Sequence, residues 1–245
     1  SNMCHEATSV GLPQSIGIGK GTVSLDDFDH CELIIAMGHN PGTNHPRMMG
    51  TLWEVSRRGV PIIVFNPLRE RALERFADPQ DPIEMATLGS TRIASTYYQP
   101  KVGADAAVLK GVMKALIEKD DATKDVLDHA FIAEHTNGFE AFAADLRATP
   151  WEAIETVSGF SRAQLGEVAV AYAKSNATIV TYGMGITQHM RGTDNVQQIA
   201  NLLLLKGNYG KPGAGICPLR GHSNVQGQRT VGITEKPELA PLDQL

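Results

Sequence analysis

From Leu33 to Gly38 the chain reads Leu-Ile-Ile-Ala-Met-Gly, a continuous apolar run closed by glycine. A strand that is apolar on both faces has no side to offer water. It belongs inside a parallel sheet covered by helices. A polar loop from His39 to Pro46 then leads into Arg47 to Arg58, which reads as a helix. Met48, Leu52 and Val55 recur at helical spacing, Arg57-Arg58 suit the last turn, and Gly59 supplies the stop. Pro61 to Phe65 is a second apolar run, ending at Asn66-Pro67. Strand, helix and strand in close succession make a βαβ unit, which demands a parallel sheet.

The rest of the chain extends this pattern. Ala104 to Lys119 carries a wide apolar stripe, and shorter helical pieces are expected over Val126 to Glu134, Phe139 to Leu146 and Trp151 to Val157. Ser161 reads as the N-cap of a helix through Lys174, and Thr193 as the cap of one through Leu205, stopped by Gly207. Ala177 to Tyr182 is a third buried strand. The expected fold is α/β: a doubly wound, mostly parallel sheet in a Rossmann-like three-layer αβα sandwich. Residues 1–245 form one domain, with irregular arms at about 1–29 and 207–245.

Composition narrows the function. A net charge of −5 argues against a general nucleic-acid or anionic-membrane binder. No apolar window approaches the roughly 18 residues of a membrane span. Three cysteines, Cys4, Cys31 and Cys217, form no disulfide framework and no CxxC pair, which points to a reducing compartment, the cytoplasm. Glycine is enriched at 24 of 245 residues, with Gly17, Gly19 and Gly21 close together and ten more between Gly183 and Gly232. Such clusters mark sharp turns or close backbone approach. The third-position methionine and the polar, proline-rich tail suggest a domain excised from a longer chain. The rival explanation is a cloning remnant, Ser1-Asn2, on a short natural protein.

In an open parallel sheet, ligands bind beyond the carboxyl ends of the strands. Those ends carry Gly38-His39-Asn40-Pro41-Gly42-Thr43, Asn66-Pro67 and Gly183-Met184-Gly185-Ile186-Thr187-Gln188. A small-residue loop entering a helix suits phosphate, and a polar side chain after the next strand suits a ribose hydroxyl. The outline is that of a dinucleotide site, although the loop is not GxGxxG and Asn66 is not the usual acid. Plain turns of an α/β fold would look the same. Asp105, after Gly103, could cap the long middle helix or bond a base edge. Cys4-His5 pairs a soft metal ligand with a proton carrier, and Arg220 could grip a carboxylate with two parallel bonds. A solvated loop with a surface ion pair remains the plainer alternative there.

Five segments in order carry a family resemblance: Asn2 to Glu6, Gly38 to Pro46, Tyr182 to Gln188, Gly207 to Gly215, and Leu219 to Gly227. The sequence resembles the formate-dehydrogenase-like molybdopterin oxidoreductase alpha subunits of the dimethyl-sulfoxide-reductase group. The resemblance implies molybdenum held as bis(molybdopterin guanine dinucleotide), with this chain an internal domain cradling one dinucleotide. The remaining domains of the parent chain, any iron–sulfur cluster (4Fe–4S) and an electron-transfer partner would lie outside it. By position, Cys4 matches the molybdenum ligand, His5 the proton-handling histidine and Arg220 the arginine that orients formate or a similar small anion. Gly38, Asn40, Asn66, Asp105 and Gly183 match loops touching the guanine dinucleotide. Thr43, His45, Gly103, Met184, Gly185, Gln188, Lys211, Gly221 and Asn224 join them as candidate cofactor contacts.

Two positions depart from formate dehydrogenases. Glu6-Ala7 stands where Gly-Pro is expected, and His222 where glutamine is. Both lie beside the expected metal, and His222 would add a titrating group to the catalytic set. Two other functions compete. One is a nucleotide- or pterin-binding α/β module without redox chemistry, which the consequence of losing Cys4 would separate. The other is a nicotinamide dehydrogenase, against which the missing GxGxxG counts. An isolated domain would have lost half its cofactor surface and is expected to turn over little.

Overall fold

The computed structural model describes residues 4–232. Strands β1 (Leu33–Met37), β2 (Ile62–Phe65), β3 (Thr96–Tyr98), β4 (Thr178–Tyr182) and β5 (Gly215–Pro218) form one sheet. Their order is β3-β2-β1-β4-β5, and every neighbouring pair is parallel. Helices α1 (Glu6–Ile16), α2 (Pro46–Arg57), α3 (Asp105–Thr123), α4 (Arg162–Lys174) and α5 (Gly192–Leu204) supply the covering layers. The chain winds outward from β1 to β3, then returns to the other side of β1 for β4 and β5. This is a doubly wound α/β fold, and its order reverses between β1 and β4.

The apolar runs explain the layers. Ile35 is level with Ile63 and Val180, and Val180 with Ile216. That row joins the larger core, with Leu12 of α1, Val112 and Leu116 of α3, Leu165 of α4 and Ile199 of α5. Ile34, one residue earlier, is level with Ile62 and Ile179 and faces the smaller core, against Met49, Leu52 and Val55 of α2. Alternate residues of each strand thus serve opposite cores, and each fully buried branched side chain contributes roughly 1.5–3 kcal/mol. Ser161 does cap α4, in a capping box with Gln164.

Several expectations are corrected. Residues 6–16, expected to be irregular, form α1, which lies on α5. Gly11 makes that approach possible: a Cβ there would sit 3.1 Å from the Thr193 carbonyl oxygen. The described part of the second arm, residues 207–232, is regular as well, with β5 at the sheet edge and a short helix, Val225–Thr230. Residues 233–245 of that arm lie outside the described residues. β5 begins at Gly215 because Thr22 crosses it, the Thr22 N–H donating to the Ile216 carbonyl and the Ile216 N–H to Thr22 Oγ1. β3 escaped notice because three residues show no period. α2 buries Met49 rather than Met48, and α5 starts at Gly192, ahead of Thr193. Among the described residues no helix is long and apolar enough to cross a membrane.

Candidate functional site

Where the strand order reverses, two loops cross at backbone contact. Gly38 leaves β1 with φ +58°, and its carbonyl accepts from the Gly185 N–H at 3.0 Å. The Gly183 N–H donates to the Met37 carbonyl at 3.2 Å, and the Gly38 N–H to Phe65 at 3.1 Å. A Cβ on Gly183 would stand 2.6 Å from the His39 Cβ, and one on Gly185 2.7 Å from the Gly38 oxygen. These three glycines, read from sequence as cofactor contacts, are required first of all by this crossing.

A cleft of about 320 Å³ opens beside the crossing, at the carboxyl ends of β1, β2, β4 and β5. Candidates Gly38, Asn40, His45, Asn66, Gly183, Met184, Gly185 and Gly221 line it, together with His39 and Glu70, which sequence reasoning missed. His45 Nε2 lies 2.8 Å from the Arg220 carbonyl oxygen. That oxygen can only accept, so Nε2 donates to it. His45 Nδ1 is nonetheless buried without a protein partner, and so is His39 Nδ1. Burial, and secondarily the neighbouring His45, holds His39 down to about 3, so it is neutral at physiological pH. Buried polar atoms rarely go unpaired, and these two offer hydrogen-bonding capacity to a ligand.

A second cluster adjoins the cleft. Cys4 is buried, and its carbonyl accepts from Thr187 Oγ1 at 2.9 Å, which ties it to the turn after β4. His5 is almost fully buried. Its Nε2 donates to the Leu219 carbonyl at 2.8 Å, so Nδ1 accepts from Thr8 Oγ1 at 3.1 Å, and Thr8 in turn accepts from the Tyr182 hydroxyl at 2.9 Å. Burial first, then the Arg220 charge, pulls His5 down to about 4. Arg220 spends its terminal nitrogens on the carbonyls of Gly19 (3.1 Å) and His5 (3.5 Å), while its Nε is buried without a partner. Thr8 and Tyr182 had no sequence signal, because a hydroxyl in a helix or strand is ordinary until its partner is known.

Other candidates stand apart. Lys211 precedes β5 at the amino edge of the sheet and donates to the Lys206 carbonyl. The loop joining α5 to a parallel strand must return to that edge, so Lys211 is placed away from the cleft. Asp105 leaves α3 uncapped, with Ala104 at the cap position. Its carboxylate lies 3.9 Å from His189 Nε2, and burial raises its pKa. Gly103 is exposed with open space around it. Thr43 donates its N–H to Asn40 Oδ1, which caps the short helix Pro41–Asn44. Gln188 closes the turn after β4 through its N–H to the Met184 carbonyl. His222 is exposed, and Asn224 caps the helix 225–230, which is anchored by Arg229 to Glu6 at 2.6 Å. Among the described residues, no three His, Cys, Asp or Glu side chains gather as a metal site.

The family model "Molybdopterin oxidoreductase" matches residues 5–237. The chain is 59% identical to "Protein YdeP" of Escherichia coli O6:H1, aligning over its whole length with 33% of that protein. It is 31% identical to "Formate dehydrogenase H" of Escherichia coli K12, covering 95% of this chain and 29% of that one. The chain thus spans about a third of the length of these relatives. Acetylene hydratase from Pelobacter acetylenicus shares the fold, with a TM-score of 0.68 at 18% identity over 86% of this chain and 25% of that chain. With a family match over nearly all of its residues, the chain belongs to the molybdopterin oxidoreductase family.

Proposed function

We propose that this chain is the domain of a molybdenum-dependent, formate-dehydrogenase-like oxidoreductase that binds one guanine dinucleotide of a bis(molybdopterin guanine dinucleotide) cofactor. The family implies an oxidoreductase with a molybdenum–pterin cofactor. The observation that carries the finer reading is the cleft at the strand-order reversal, walled by backbone and holding two orphaned imidazole nitrogens. The residues fit the group. The unpartnered Nδ1 atoms of His39 and His45 offer hydrogen bonds to the polar groups of a nucleotide. The lone Cys4 thiol suits a metal whose remaining ligands arrive with the cofactor.

When bound, the molybdenum centre supplies a two-electron acceptor for oxidation of a small substrate. Cys4 provides the protein ligand to the metal. Arg220 keeps one guanidinium N–H, on Nε, for an incoming small anion such as formate, and can exchange its weak 3.5 Å bond to the His5 carbonyl for a carboxylate. His5 is neutral at physiological pH, and because Nε2 is held by the Leu219 carbonyl and Nδ1 by the Thr8 hydroxyl, its part in handling the substrate proton would run through Thr8. Exposed His222 is the neighbouring group that distinguishes this chain from glutamine-bearing formate dehydrogenases. The three cysteines are free, which supports a cytoplasmic setting. The remaining parent domains would complete the cofactor site and meet any electron-transfer partner.

The test is elemental and nucleotide analysis of the full-length protein from its native cells. About two GMP per metal and about one metal per chain are expected for a bis-dinucleotide cofactor. Absence of both from matured protein would leave a redox-silent binding module. Cys4→Ser should abolish turnover and spare GMP content. Identical pH–rate profiles for His222→Gln and wild type would remove His222 from the mechanism.

A further inference from the structure

A carboxylate that the sequence did not single out sits in the wall of the cleft. Glu70 follows β2 by five residues, past the end where nucleotide-binding folds commonly place an acid for the ribose. Asn66 holds that end, and its amide points elsewhere: Nδ2 donates to the Leu68 carbonyl at 3.1 Å and reaches Glu70 Oε1 at 3.5 Å. From the loop after β1, Asn40 Nδ2 donates to Glu70 Oε2 at 2.5 Å. The orientation of Asn40 is fixed, because its Oδ1 accepts from the Thr43 N–H at 3.1 Å. The backbone is pinned too. The Glu70 N–H donates to the Tyr97 hydroxyl at 3.0 Å, and that hydroxyl donates to Leu68 at 2.6 Å.

An ionised carboxylate has about four acceptor positions, and the two asparagines occupy two of them. The loops after β1 and β2 therefore hold a negative, acceptor-only group in the cleft with capacity for a pair of donors. A ribose carries such a pair in its adjacent hydroxyls.

We infer that Glu70 is the acceptor for the ribose hydroxyls of the bound guanine nucleotide, and that Asn40 and Asn66 are positioning residues that aim its carboxylate. This rests on the cleft being the nucleotide site. The acid that Asn66 lacks is supplied from further along the chain and oriented by Asn66 itself.

The experiment uses the full-length protein purified from cells unable to make the cofactor, titrated calorimetrically with GDP and with 2′,3′-dideoxy-GDP. Glu70→Gln keeps the shape and exchanges one acceptor for a donor. It should weaken GDP binding by roughly tenfold to a hundredfold, the range for a charge-assisted bond, and weaken dideoxy-GDP binding much less. Glu70→Asp is the second variant, should the first fold poorly; it withdraws the charge by one methylene and should also narrow the preference for GDP over dideoxy-GDP. If wild type binds GDP and a folded Glu70 variant binds it equally, the ribose assignment is wrong while the cleft reading survives. A variant that loses discrimination between GDP and inosine diphosphate instead would show that Glu70 reads the base, which also overturns it. If wild type binds neither GDP nor dideoxy-GDP, the cleft reading fails first.

Discussion

Gly38 and Gly103 both have a positive φ, +58° and +78°, yet they sit in opposite surroundings. Around Gly103 nothing lies within 4 Å of an added Cβ; at Gly38 the same atom would meet Ile186 N at 2.9 Å and the Gly185 backbone at 3.0 and 3.1 Å. Alanine at either position incurs the left-handed penalty, roughly 1–2 kcal/mol. Only at Gly38 must two backbone segments also part, and overpacking of that kind costs about 1–3 kcal/mol. Gly38→Ala should therefore destabilise by about 2–5 kcal/mol and Gly103→Ala by about 1–2 kcal/mol. Each kcal/mol corresponds to roughly 2–4 °C in Tm for a chain of this size. The assay is urea and thermal unfolding of the two variants side by side, followed by GMP analysis of the full-length forms. Gly38→Ala should lose nucleotide, because the parted loops form the cleft wall, and Gly103→Ala should retain it. Equal destabilisation by the two variants would refute the crossing as the reason for glycine at this point.

Other predictions concern the buried polar groups. His5 and His39 are depressed to about 4 and about 3 from an ordinary value of 6.5, so the unfolded chain binds more protons between those limits. Stability should be full above about 6.5 and fall as the pH drops towards 4 and then 3. Urea unfolding at pH 7 and pH 5 checks this: His39→Gln should lose less on acidification than wild type, and equal losses would count against it. Asn208 is fully buried, accepting from the Thr178 N–H at 3.2 Å and donating to the Tyr172 hydroxyl at 2.9 Å, so Asn208→Ala should cost about 2–4 kcal/mol. A thermal melt showing a loss under about 1 kcal/mol would contradict that role. Arg220→Gln should raise the His5 pKa, seen by NMR titration, because the Arg220 charge ranks second to burial in depressing it. Tyr182→Phe should move it little, since Thr8 still donates to Nδ1, and should cost about 1 kcal/mol.

Legibility along the chain followed the physics of the signals. β1 and β2 are plain because they are apolar at every position, as a strand buried on both faces allows, and β4 because its β-branched and aromatic residues suit a buried strand. α1 was not, because it buries Thr8, Gly11 and Leu12 rather than a wide apolar stripe. β3 and β5 are short edge strands, Thr96–Tyr98 and Gly215–Pro218, too brief to show a period, and β5 is broken by glycine and proline. At the site, Asn40, Asn66 and Gly183 could be placed from strand ends alone, since a parallel sheet brings all its carboxyl ends to one edge, whereas His45 came only with the family resemblance. By the same rule Lys211, whose motif precedes a strand, lies at the opposite edge.

By itself the sequence determined the fold class and the family, since these follow from apolar periodicity and short contiguous motifs. The tertiary structure decided which atoms are available at the site. It occupied both nitrogens of His5, left His45 Nδ1 and Arg220 Nε without partners, and turned the Asn40 and Asn66 amides onto Glu70. Those outcomes depend on distances of about 3 Å between residues as far as 214 positions apart, which no local pattern encodes.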